Sequence, residues 1–294
     1  MVRFPDCAIQ NALSTMKSFH FPPTPGFCPY IDRFWGWEGE PNEIVPLPML
    51  LPGTGAELYF HYGEPFRYQI AGNDPVQAEP GHLFCIRKLP INLLPARNIG
   101  FIAVRFKIGA LQRFTNIPAK DLSDSRFSVS EIWGATGNTL LRHFSCADNN
   151  RQRLSLIQDF LARCLRQESA DVLIEQALPF LYRQYSELTI EALSEKLHLG
   201  RRQLERRWMA YSGHTPKETS GLSRFQHTVR TLMLEPSANM ACVAFSNGYY
   251  DQAHFIHDFQ RRTGLSPRQY IQAARNKSHF YNTALQKTGI VCAP

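Results

Sequence analysis

Long apolar runs are missing from this 294-residue chain. None reaches the ~18 residues of a membrane-spanning helix. The opening stretch Met1–Ser18 has neither the basic start nor the apolar centre of a secretory leader. Paired cysteines are missing too: the seven present are scattered, odd in number and never spaced C-x-x-C. That excludes a ribbon-type zinc site and a disulfide framework, and it predicts reduced thiols in a cytoplasmic protein with no membrane contact. No phosphate loop, nucleophile elbow or zinc-helix signature appears, and no G-x-H-x-H run. Among the strand-forming segments only His61 and His82 are histidines, with Glu57 and Glu64 near them in sequence. These absences predict no catalytic residue, no cofactor and no metal. The competing reading is a cupin-like small-molecule-binding or metal-dependent enzyme with an accessory helical domain; it would need those histidines and carboxylates to converge.

Proline is absent between Pro118 and Pro179, while fifteen of the 20 prolines precede residue 120. Proline ends helices and punctuates strands, so the front of the chain reads as β-rich. Its apolar segments Ile31–Trp37, Glu57–His61, Phe66–Ile70, His82–Ile86 and Ile99–Lys107 are separated by turn clusters such as Pro52-Gly53-Thr54-Gly55. That pattern predicts a small antiparallel barrel or sandwich. Beyond Leu111 the period changes. Leu154, Ile157, Leu161 and Leu165 recur by threes and fours within Arg151–Arg166, one helical stripe, and Ser169–Tyr185 supplies another helix with Asp171 as N-cap. Glu131-Ile132-Trp133-Gly134 begins a further helix. The expected organisation is a β-rich sensor domain over 1–110, a helical linker or dimerisation region over 111–174, an all-α module over 175–277 and a tail over 278–294. The fold class is therefore α+β and multidomain.

Charge follows the same division. Residues 175–294 hold 15 Lys/Arg against 9 Asp/Glu, so +6 of the net +7 lies there. A basic module beside a near-neutral one fits contact with phosphate. Two helix-turn-helix patterns occupy that module. In the first, Thr189 caps a helix with Ile190, Leu193 and Leu197 on one face. His198-Leu199-Gly200 turns, and Arg201 to Trp208 forms the second helix with Leu204 and Trp208 pointing inward. That leaves Arg201, Arg202, Glu205 and Arg206 outward. Arginine grips guanine or phosphate, and glutamate accepts from cytosine. Pro216 then opens a long helix to Leu234, Glu235-Pro236-Ser237 breaks it, and Ser237 is placed to cap the next. In the second unit Gly248 makes the turn and Asp251 caps a helix with Phe255 and Phe259 inward. Gln252, Ala253, His254, Ile256 and His257 then surround its groove-facing side.

The stretches Leu204-Glu205-Arg206-Arg207-Trp208, Gly213-His214-Thr215-Pro216, Gly248-Tyr249-Tyr250-Asp251-Gln252-Ala253-His254-Phe255 and Gly264-Leu265-Ser266-Pro267 resemble the AraC/XylS family of transcription regulators over about residues 180–275. The resemblance implies an all-helical domain whose two helix-turn-helix units meet two adjacent major grooves of double-stranded DNA. Their contacts would fall on the nine outward residues just named. Three positions depart from the pattern: Ser194 stands where alanine is usual, His198 where glycine is usual and Gly200 where a serine cap is usual. Phe34-Trp35-Gly36-Trp37, Gly63-Glu64-Pro65-Phe66-Arg67 and Glu131-Ile132-Trp133-Gly134 are similar to a cupin-like sensor domain found in a subset of these regulators. That similarity implies a small-molecule or environmental sensor without naming the signal; the chain as a whole reads as a sequence-specific DNA-binding regulator, expected to be an activator, with an unidentified small-molecule effector as partner. A homodimer and contact with RNA polymerase are further expectations.

Overall fold

The computed structural model describes residues 16–70, 72–235 and 237–274. The expected tail 278–294, nearly all of Met1–Ser18, and Pro236 lie outside the described residues. In chain order the strands are β1 (Lys17–Phe21), β2 (Ile31–Glu38), β3 (Met49–Leu50), β4 (Glu57–His61), β5 (Arg67–Ile70), β6 (Val76–Gln77), β7 (Gly81–Phe84), β8 (Ile91–Leu93), β9 (Gly100–Phe106) and β10 (Arg126–Ser128). They form two antiparallel sheets, six strands ordered β1-β2-β9-β4-β7-β10 and four ordered β3-β8-β5-β6. Of the two expected alternatives, barrel or sandwich, the chain adopts the sandwich.

Alternation along β4 explains the layering. Successive side chains of a strand point to opposite faces. Tyr59 joins Trp35, Trp37, Phe84 and Phe101 against Leu50, Tyr68, Ile91 and Leu93 of the second sheet. Leu58 and Phe60 point the other way, into a core completed by Leu140, Phe144, Ile157, Phe160 and Leu161. Those last five belong to α2 (Val129–Ser145) and α3 (Asn150–Cys164), which follow the short α1 (Ala119–Leu122). With both faces covered, every residue of β4 is buried. The stripe predicted on Arg151–Arg166 thus packs within its own chain. The Glu131-Ile132-Trp133-Gly134 segment opens α2 as expected: Ser128 and Glu131 make a reciprocal capping box, and Gly134 breaks the helix geometry at φ 52°, ψ −130°.

The sandwich interior is not wholly apolar. Glu57, buried, accepts from Arg105 Nη1 at 2.7 Å and Arg87 Nη2 at 3.1 Å. Burial would raise its carboxyl; the Arg105 and Arg87 guanidiniums outweigh that and hold it below the ordinary value. Further along the same face the rings of His61 and His82 stack at 5.3 Å. His82 Nδ1 donates to the Glu79 carbonyl at 2.9 Å, whereas His82 Nε2 and both ring nitrogens of His61 have no partner. Glu64 is exposed and accepts from Asn98. The four residues considered as metal candidates therefore do not converge, and among the described residues no group of three or more such side chains gathers.

Burial pushes His82 down to about 4 and His61 well below its ordinary value, the latter assisted by His82. The unfolded chain, with histidine near 6.5, binds these protons more tightly than the folded one. Stability is full above pH 6.5 and drains as the pH falls toward 4. The expected loss from His82 alone is about 3 kcal/mol across that window. Urea titrations at pH 7 and pH 4.5 check it, with His82→Phe flattening the dependence; a variant as acid-sensitive as the wild type would contradict this origin.

Five helices complete the all-α module after α4 (Val172–Arg183) and α5 (Ile190–Lys196): α6 (Arg201–Ser212), α7 (Pro216–Leu234), α8 (Met240–Ser246), α9 (Gln252–Thr263) and α10 (Pro267–Ala274). Asp171, Thr189 and Asp251 cap α4, α5 and α9 through their side chains, as their sequence contexts predict. The start of α8 differs from expectation. Asn239, not Ser237, accepts from the amides of Ala241 and Cys242, because the helix begins at Met240 and its cap must sit directly before it.

Candidate nucleic-acid interface

The first unit is α5, the four-residue turn Leu197-His198-Leu199-Gly200 and α6. Leu193, Leu204 and Trp208 are fully buried, with Ile190 and Leu197 packed alongside. Trp208 Nε1 donates to Thr219 Oγ1 at 3.0 Å, tying α6 to α7. The three departures from the family pattern have local solutions. His198 adopts the left-handed conformation at φ 51°, and histidine is more tolerant of it than most residues. The buried Ser194 hydroxyl donates to the Leu199 carbonyl, so the turn absorbs the extra polar atom. Gly200 starts α6 with no side-chain cap.

On the other face of α6, Arg201, Arg202 and Arg206 are exposed and Glu205 is half-buried. They differ in commitment. Arg201 already donates to Glu191 at 2.9 Å and Glu205 at 3.2 Å. These pairs are solvent-exposed and cheap to break. No ion pair among the described residues holds Arg202 or Arg206. Arg207 turns away and grips Asp171 with two bonds of 2.7 and 2.6 Å. It therefore fastens α6 to the cap of α4, a role that its place in an arginine run concealed.

The second unit is α8, a turn and α9. Gly248 has φ 75°, and a Cβ there would lie 2.9 Å from the Ser186 Cβ. Asn247, buried in that turn, accepts from the Tyr185 hydroxyl at 3.0 Å and donates to the Val243 carbonyl at 2.8 Å. Phe255 and Phe259 are fully buried against Phe225 and Val229 of α7. Gln252, Ala253, His254 and His257 are exposed, while Ile256 is half-buried and leans on the core. Two features escape the helical period. Asp258 is buried and accepts from Tyr249, Arg261 and Arg262, a network that pins the back of α9. Burial would raise its carboxyl, but Arg262 and Arg261 hold it below the ordinary value. Tyr250, one residue before the cap, is 86% exposed, while its neighbour Tyr249 is in the core. Only their positions around the turn separate the two tyrosines.

Between the units, α7 runs 19 residues, or about 28 Å at ~1.5 Å per residue. The Thr215–Glu218 capping box fixes its start. Buried Leu222, Phe225, Val229 and Leu232 hold it along most of its length. Two helices thus present polar faces to solvent from one shared helix, α7.

Residues 193–273 match the model of a helix-turn-helix domain. The carboxy-terminal module is accordingly a helix-turn-helix, DNA-binding domain. Residues 19–128 match a domain of unknown function, DUF6597. Among solved structures it is similar to ToxT from Vibrio cholerae (9% identity, 89% of this chain and 98% of that one, TM-score 0.46). It is also similar to the C-terminal domain of the response regulator AraT from Geobacillus stearothermophilus (20% identity, 41% and 98%, TM-score 0.35). A probable AraC family regulator from Rhodopseudomonas palustris matches at 21% identity over 36% of this chain and 99% of that one, TM-score 0.33. No curated protein matches the chain. Among the described residues, no helix is long and apolar enough to cross a membrane.

Proposed function

We propose that the AraC-type module is a sequence-specific two-groove reader, and that this cytoplasmic regulator activates transcription when the front domain receives a small-molecule signal. Arg202 and Arg206 carry the first unit's base contacts. Arg201 and Glu205 exchange their mutual pair for DNA. Gln252, Ala253, His254 and His257 read the second groove, with Ile256 at its margin. Signal reception falls to the first 110 residues and reading to 175–277. The helices of 111–174 offer a homodimer surface, and RNA polymerase is the partner of an activator. One observation carries the reading: α6 and α9 each bury an apolar pair four residues apart and turn polar side chains outward.

Arg206→Ala tests it. A bidentate arginine–guanine contact is worth about 1–3 kcal/mol, so specific affinity should fall roughly 5- to 160-fold, with discrimination relaxed at one base position. A gel-shift titration on duplexes selected from a random pool measures both. Unchanged affinity and base preference would remove Arg206 from the readout.

A further inference from the structure

The turn Pro52–Gly55 is buried at all four residues, although turns ordinarily face water. It is pressed onto the middle of α7. Gln226 Oε1 accepts from the Thr54 amide at 3.1 Å and the Thr54 hydroxyl at 2.7 Å. A Cβ at Gly53 would come within 2.6 Å of Gln226 Nε2, so the backbone itself lies against that side chain. The front domain also reaches past this point in both directions. Toward the first unit, Lys88 Nζ donates to Glu218 at 2.7 Å, and in the segment that follows the front domain Ser123 Oγ lies 2.9 Å from His214 Nε2 just beyond α6. Toward the second, Leu51 packs into the core that α7, α8, α9 and α10 share.

None of these contacts covers Arg202, Arg206, Gln252, His254 or His257, which are exposed with the front domain in place. Docking therefore does not hide the reading faces. It braces α7 between them. We infer that the front domain is a splint: the Pro52–Gly55 turn, seated on Gln226, holds the two units in the mutual setting that two adjacent grooves require. This rests on the two-groove reading proposed above. Two sites held at a matched span bind far more tightly than the same sites loosely joined. Undocking therefore lets each unit read alone and weakens the pair.

The turn is also wired inward. Gly53 and Arg87 exchange backbone hydrogen bonds of 3.0 and 3.4 Å, and the Arg87 guanidinium holds Glu57 inside the sandwich. An event that displaces this pair pulls on the turn that seats against α7.

The test uses the full-length protein, a duplex that it selects from a random pool, and two versions of that duplex with one or the other preferred block scrambled. Gln226→Ala removes the acceptor, and Gln226→Glu keeps one. The splint predicts that Gln226→Ala speeds hydrogen exchange at the Thr54 amide. It should also lower affinity for the two-block duplex by about tenfold, leave each one-block affinity within about twofold, and be matched by no such change in Gln226→Glu. A Thr54 amide that stays protected in Gln226→Ala overturns the inference. So does a freed amide with two-block affinity unchanged or raised, or an equal loss on all three duplexes. A wild-type protein that selects no two-block duplex instead sinks the two-groove reading, whatever the exchange data show.

Discussion

Glu57→Ala is expected to destabilise the full chain by about 3–5 kcal/mol in a urea titration, the cost of removing one member of a buried ion cluster. Two guanidiniums depend on this carboxylate. Arg87 is the more vulnerable, because it is buried and its Nε and Nη1 already lack partners. Arg105 can turn more readily toward water. Glu57→Gln should fall between, keeping an acceptor while losing the charge. Arg87→Leu/Arg105→Leu/Glu57→Leu, which removes the whole cluster, should cost less than Glu57→Ala alone, since no charge is then stranded. A loss below about 1 kcal/mol for Glu57→Ala would mean that the arginines reach solvent unaided and that the cluster does not organise the interior.

The second large effect belongs to Trp208. Trp208→Ala removes the largest fully buried side chain of the first unit and breaks the bond to Thr219. Truncating a buried tryptophan costs about 3–5 kcal/mol. It should also abolish the first unit's contribution to DNA binding while leaving Arg202 and Arg206 in the sequence. Arg202→Ala and Arg206→Ala supply the contrast: exposed and free of ion pairs among the described residues, they should change stability by no more than ~0.5 kcal/mol while weakening binding. Thermal melts beside gel shifts separate the two classes. If Trp208→Ala bound DNA like the wild type, the packing account of α6 would be wrong.

What the sequence disclosed and what it withheld divide along one line. Local, periodic features were legible. The pairs Leu204/Trp208 and Phe255/Phe259 declare their inner faces by a spacing of four. Thr189, Asp171 and Asp251 declare helix starts, and Gly248 declares a turn. Strands buried on both faces, such as β4 and β9, are long enough to register. By contrast β3, β6, β8 and β10 are two or three residues each, too short for alternation to show. The start of α8 was missed because Ser237 and Asn239 are both good caps, and only the position of Met240 chooses between them. Pairings across the chain were also invisible. Arg207 with Asp171, Asp258 with its arginines, and above all Thr54 with Gln226, 172 residues apart, depend on which surfaces meet. Composition names such groups but not their partners.

Everything functional here depends on two recognition helices meeting one face of one duplex. Hydroxyl-radical footprinting of the full-length protein on its selected duplex tests this most directly. The account predicts two protected patches on the same face, about one helical turn of ~10 base pairs apart. Scrambling one preferred block should erase one patch only. A single patch, or two on opposite faces of the duplex, would contradict it.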